Sequence, residues 1–147
     1  MAESTESSIV VNAPAAHVLD VIADLARYPE WAGDVKKVEI LAEDGDGWPD
    51  QARLYFDAGV IKDACLFDYD WDVVEDGTGA VSWTLVEAST LRAMDGIYTL
   101  SAIPEGTAVT YRLTVELMIP MLGLLRRKAE KAIVDTALRS LKSRVEG

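Results

Sequence analysis

Six aromatic residues hold most of the chemical potential of this chain, because they recur at alternating positions of strand-like segments: Phe67, Tyr69, Trp71, Trp83, Tyr98 and Tyr111. Rings with polar tips gathered on one side of a sheet make either an ordinary core or the wall of a pocket, since small-molecule sites are apolar clefts with a few polar groups. Three of the six, Tyr69, Tyr98 and Tyr111, carry a hydroxyl that a dry core would have to satisfy. Leu85, Leu100 and Leu113 share the same alternating rows and complete the expected wall.

Other chemistries find few residues. The single histidine, His17, and the single cysteine, Cys65, provide neither a Cys/His zinc cluster nor an internal disulfide. A Ser/His/Asp triad would have to use His17, which sits in the first helix and reads as a surface or boundary residue. Asp68, Asp70 and Asp72 resemble a metal comb only as a string. On a strand they point one way at roughly 7 Å spacing, with no glycine loop to wrap an ion, so a solvated face is the better reading than a calcium site. Gly77, Gly79 and Gly106 belong to turns, and no phosphate-binding glycine motif is present. No cofactor and no metal is expected.

The elements that must position these residues follow from periodicity. Residues 7–11 predict a first strand, and Asn12 with Pro14 predicts the start of a short helix carrying Val18, Val21, Ile22 and Leu25 on one face. Pro29, within Arg27-Tyr28-Pro29-Glu30-Trp31, is expected to end the helical segment. Strands are then predicted over 35–41, 52–58, 65–73, 81–85, 96–102 and 109–117, with Asp68, Asp70 and Asp72 facing water opposite Trp71 and the other rings. That makes about seven strands joined mostly by hairpins. From Met121 the period becomes helical, with Lys128, Lys131, Asp135, Arg139, Lys142 and Glu146 as a polar ladder. Leu122, Leu125, Ala129, Ala132, Ile133 and Ala137 form the opposite face, and the small alanines 129 and 132 predict a void that Ala129→Leu would fill. The apolar stretch Met118-Ile119-Pro120-Met121 reads as helix-end packing or a cavity rim, and Gly123 as a point of close approach or hinge.

Length and charge set the outer bounds. The chain has 147 residues, half of them hydrophobic, which suits one globular domain, with residues 1–6 expected to be disordered. Its net charge is −11, with 7 Lys/Arg against 22 Asp/Glu in residues 1–120 and 7 against 3 in residues 121–147. An acidic body repels phosphate backbones, which argues against nucleic acid as a partner, while the basic C-terminal segment reads as a solvated helix face rather than a partner or anionic-membrane site. No apolar run approaches the roughly 20 residues of a membrane span. The polar, acidic N-terminus lacks a signal peptide's basic start and apolar stretch, so a cytoplasmic protein is expected, as a monomer or weak dimer.

The order strand, short helices, strands, long helix, together with Tyr28, Pro29 and Trp31 and the Gly96, Tyr98 and Gly106, Thr107 neighbourhoods, resembles the START-like (SRPBCC) superfamily of polyketide cyclases/dehydrases and lipid-transport proteins. The resemblance implies an α+β helix-grip fold, a curved antiparallel sheet around a long C-terminal helix with two short helices after the first strand. It also implies a cavity between sheet and helix for a hydrophobic small molecule such as a polyketide, isoprenoid or lipid, walled by the aromatic set with Leu85, Leu100, Leu113, Leu122, Leu125, Ala129, Ala132 and Ile133. Two alternatives stand beside it: a polyketide aromatase/cyclase or dehydratase, and a protein-interaction module without a ligand. For the cyclase alternative the resemblance implies proton steering by pocket side chains, for which Tyr69, Tyr98 and Tyr111 are the available hydroxyls and Arg53 or Arg92 weaker candidates for polarising a carbonyl, but it carries over no specific catalytic residue.

Overall fold

The computed structural model describes residues 4–59, 61–119 and 123–147. The inward-outward alternation of the strands dictates the architecture. In β4 (Ile61–Val73) Cys65 and Phe67 are buried while Asp68, Asp70 and Asp72 face solvent, the register that keeps three carboxylates wet. β4 pairs with β3 (Pro49–Ala58) on one side and β5 (Gly79–Glu87) on the other, placing Tyr69 opposite Trp83. β5 continues to β6 (Leu91–Ile103) and β6 to β7 (Gly106–Leu117), with Gly96 opposite Trp83 and Tyr98 opposite Tyr111. β2 (Val35–Glu43) closes one edge and β1 (Thr5–Val11) the other, giving a seven-stranded antiparallel sheet in the order β1-β7-β6-β5-β4-β3-β2. Across its concave face lies α3 (Gly123–Glu146), and α1 (Ala15–Ala23), a 3-10 turn (Leu25–Arg27) and the one-turn α2 (Tyr28–Trp31) follow β1. This is the helix-grip, α+β arrangement.

Several local expectations are corrected. β1 begins at Thr5, so Thr5 and Glu6 are paired with Leu113 and Arg112 rather than disordered. Pro29 does not stop a helix. It sits in the first turn of α2, where a missing N–H leaves no hydrogen bond unmade. Asn12 is not a cap either: Pro14 occupies that position, and the Asn12 amide instead donates to Glu146 Oε2 at 2.8 Å. The Gly106, Thr107 pair secures this corner. Gly106 has φ +135°, and a Cβ there would lie 2.3 Å from the Val11 carbonyl oxygen. The buried Thr107 hydroxyl donates to the Ala13 carbonyl at 2.7 Å.

The inner face of α3 is rotated from the expected one. Ile133, Val134, Leu138, Leu141 and Val145 are buried, together with Glu130, whereas Leu125 is 52% exposed, Ala132 is exposed and Ala129 half-buried. The bulky stripe at steps of three and four removes more apolar surface from water than the alanine stripe, so it wins the sheet. Leu122 lies outside the described residues. Among the described residues Gly123 makes no close approach, since a Cβ there would meet only Arg127 Nη1, at 3.6 Å.

Two carboxylates act as fasteners. Glu130, fully buried on α3, accepts hydrogen bonds from the Val115 amide at 2.6 Å, Thr5 Oγ1 at 2.8 Å and Arg126 Nη1 at 3.3 Å, which joins the helix to β7 and β1. Asp63 accepts from the Thr90 amide at 2.7 Å, Thr90 Oγ1 at 2.8 Å and the Ser89 amide at 3.1 Å, which fixes the β5–β6 connection onto β4. Burial pushes the Asp63 carboxyl up, but the donors from Thr90, Ser89 and Ala64 outweigh it and hold it below its ordinary value of 3.8.

Glu130→Ala should destabilise the domain by about 3 to 5 kcal/mol in chemical denaturation, because it strands the buried Val115 N–H and removes the carboxylate beside Arg126, and Glu130→Gln should cost less. Because Asp63 has a depressed folded-state pKa, its stabilisation is present above 3.8 and is lost as pH falls through the lower folded value. Asp63→Asn should therefore lower the melting temperature at pH 7 and flatten its decline below pH 4, as calorimetry across pH would record.

Candidate functional site

A cavity of about 70 Å³ lies between the concave face of the sheet, the C-terminal half of α3 and α2. Its floor is laid by the alternation of the strands: Phe67 and Tyr69 from β4, Trp83 from β5, Met94 and Tyr98 from β6 and Tyr111 from β7. Ile133, Thr136, Ala137 and Ser140 roof it from α3, and Tyr28, Trp31 and Asp34 form its rim beside α2. The void expected beneath Ala129 and Ala132 is thus found further along α3.

The rings form a continuous chain. Phe67 meets Tyr69 at 6.3 Å between centroids, Tyr69 meets Trp83 at 6.1 Å, and Trp83 lies 5.5 Å from Tyr98 and 5.6 Å from Tyr111, which are themselves 4.6 Å apart. Such contacts fix ring orientation as well as burying area. Gly96 makes the arrangement possible: a Cβ there would be 2.3 Å from Cζ2 of Trp83, so only a bare backbone lets the indole lie across β6. At the rim Tyr28 meets Trp31 edge-on at 5.1 Å, and the Tyr28 hydroxyl donates to the Ile22 carbonyl.

The hydroxyls of Tyr69, Tyr98 and Tyr111 are different. Among the described residues none makes a hydrogen bond with them, and no fully buried side-chain oxygen or nitrogen lacks a partner, so the three oxygens open onto the cavity. Burial pushes these phenols, and that of Tyr28, above their ordinary value of 10.0, with mutual proximity adding to the shift at Tyr69, Tyr111 and Tyr28. They are neutral at physiological pH. Asp34 is the one carboxylate among the described lining residues, and burial raises it above 3.8, helped by Asp57 and opposed by Lys36. Among the described residues no Arg, Lys or His lines the cavity. The site therefore offers apolar walls and neutral hydroxyls, with negative charge at one end.

Of the residues singled out in the sequence, Phe67, Tyr69, Trp83, Tyr98, Tyr111 and Ile133 come together here. Trp71 points to the same face but lies further along β4. There it stacks on Trp48 at 5.0 Å, donates from Nε1 to the Pro49 carbonyl and borders a separate acidic cleft with Asp20, Asp44 and Asp46. Leu100 and Leu113 are packed in the core, Leu85 is half-buried, and neither these nor Leu125, Ala129 and Ala132 line the cavity. Arg53 pairs with Glu87 at 3.8 Å and Arg92 is exposed, so neither arginine reaches the cavity to polarise a carbonyl. His17 is exposed, and burial pushes the Cys65 thiol up to about 12, which leaves it unreactive. Met118 and Ile119 are 49% and 80% exposed and outside the lining, while Pro120 and Met121 lie outside the described residues. Among the described residues no group of three or more His, Cys, Asp or Glu is placed to hold a metal.

Sequence reasoning missed Asp34, Thr136 and Ser140, and read Tyr28 and Trp31 as marks of the fold alone. The aromatic pair was visible, whereas nothing local distinguishes Asp34, whose place depends on where α3 crosses the sheet.

Residues 2–146 match the profile of the family described as polyketide cyclase/dehydrase and lipid transport. Among solved structures, a START superfamily protein from Mycobacterium smegmatis superposes with a TM-score of 0.88 at 22% identity, covering 97% of each chain. The Zhui aromatase/cyclase from Streptomyces sp. R1128 superposes at 0.79 with 19% identity over 99% of this chain and 94% of the other. TTHA0849 from Thermus thermophilus gives 0.79 at 24% identity, covering 98% and 97%. At these identities each structure speaks for a shared fold.

Gly96→Ala should push the Trp83 indole off β6. The expected result is a loss of about 1 to 3 kcal/mol in stability, as overpacking costs, with a changed near-ultraviolet circular dichroism spectrum. An unchanged aromatic spectrum would show that Trp83 does not depend on the bare backbone.

Proposed function

The chain belongs to the polyketide cyclase/dehydrase and lipid-transport family, and from that premise we propose that it binds a small hydrophobic molecule in the cavity between the sheet and α3. One observation carries the reading: Tyr69, Tyr98 and Tyr111, whose hydroxyls have no hydrogen-bond partner among the described residues, line one mostly apolar space. A closed core satisfies its polar groups, and each one left unpaired costs about 1 to 3 kcal/mol. A ligand with a carbonyl or hydroxyl group, or water in its absence, supplies what the protein leaves out. This weighs against a pure interaction module, whose core would be filled by its own side chains.

Size refines the reading. Pockets for drug-sized ligands run from about 300 Å³ upward, so 70 Å³ suits a single ring, and a polyketide, isoprenoid or lipid requires the roof or rim to move. Catalysis is the weaker alternative. General acid–base work is most effective with a pKa near the working pH, and burial drives all four phenols away from it.

Titration with benzyl alcohol, followed by the methyl NMR signals of Met94 and Ile133, tests the proposal. Those signals should shift saturably in the parent. Ala137→Leu, which fills the roof, should abolish the shifts while lowering the melting temperature by only a few degrees, whereas Ala129→Leu should leave binding intact. Absence of shifts in the parent, or their persistence in Ala137→Leu, would overturn it.

A further inference from the structure

Asp34 determines what kind of molecule the cavity favours. Its backbone carbonyl accepts the Asp57 amide at 2.8 Å, but among the described residues its half-buried carboxylate has neither an ion pair nor a hydrogen bond. The neighbouring charges act on it without contact: Lys36, whose Nζ donates to the Gly33 carbonyl at 2.7 Å, favours the carboxylate, and Asp57, which faces Lys62 at 4.0 Å, opposes it. The carboxylate is near enough to the cavity for its charge to add to the effect of burial on the Tyr111 phenol.

An unpaired carboxylate at the end of an aromatic-walled cavity has the chemistry of an ammonium receptor. Ring faces attract a cation through their quadrupoles, the carboxylate attracts it by charge, and unbonded phenol oxygens can accept its N–H groups. The protein's net charge of −11 draws cations toward the molecule. A carboxylate or phosphate ligand would find no Arg, Lys or His among the described lining residues to neutralise it and would face Asp34 directly. We propose that the cavity selects a small organic amine in its protonated form, with its ring or apolar chain among Trp83, Tyr98 and Tyr111 and its ammonium group at Asp34. The inference rests on the binding role proposed for this cavity.

Three single-ring probes separate the two ideas: benzylamine as cation, benzyl alcohol as neutral molecule and benzoate as anion, each titrated into the full chain at low ionic strength while the Met94 and Ile133 methyl signals are followed. Benzylamine should bind about tenfold tighter than benzyl alcohol, and benzoate weakest. Asp34→Asn should bring benzylamine to the level of benzyl alcohol and leave the alcohol unchanged. If the alcohol binds and the amine binds no tighter, the amine inference falls and the cavity stands. Should none of the probes move the methyl signals, both fall. An amine that shifts only the Trp48 and Trp71 indole signals is attracted to the outer acidic cleft, which overturns the inference. Should Asp34→Asn fail to fold, the order of the three probes in the parent decides alone.

Discussion

The helix that makes this fold a grip is held in place by one buried charge. Glu130 has no exposure, and its carboxylate is worth burying only because an amide of β7, a hydroxyl of β1 and the guanidinium one turn earlier on α3 all point at it. The hub pins the rotation that the bulky stripe of α3 selects, which in turn sets Ile133, Thr136, Ala137 and Ser140 over the concave face. A different rotation would roof the sheet with other residues and leave a different cavity. At the far end Glu146 accepts the Asn12 amide and Lys142 donates to the Val10 carbonyl at 2.7 Å, so the helix is tied to the β1 region at both ends.

Beneath this roof the aromatic residues work as a unit. The antiparallel register brings Tyr69 opposite Trp83 and Tyr98 opposite Tyr111, and the missing side chain at Gly96 lets the indole bridge them. The rings fill most of the interior, yet their hydroxyls find no partner among the described residues there. The protein thus keeps a cluster of neutral hydroxyls beside an apolar wall, with Asp34 at the rim.

The floor of the site was legible in the sequence because a period of two leaves little freedom: once Asp68, Asp70 and Asp72 must face water, Phe67 and Tyr69 must face inward. The roof was not. On α3 the apolar stripe through Leu125, Ala129 and Ala132 and the one through Val134, Leu138 and Leu141 compete, and only contact with the sheet selects the bulkier. Trp71 shows a further limit, since alternation fixes which face a ring takes but not how far along the strand a cavity extends. Asp34 carries no local signal because it becomes part of a site only when α2 and α3 converge on it.

The two sides of the cavity are held very unequally. α3 is fastened through a buried carboxylate, whereas α2, a single turn, is joined to the end of α3 by Glu30 and Arg144, an exposed pair at 3.0 Å whose charges water and salt largely screen. Apart from that pair, the turn from Tyr28 to Trp31 is held by the Tyr28 hydroxyl on the Ile22 carbonyl and by packing of both rings against the core, which makes it the lighter of the two sides. On the binding role proposed for this cavity, entry would be limited by how often one helical turn opens rather than by diffusion, so a guest larger than the resting space would exchange slowly even where it is held weakly.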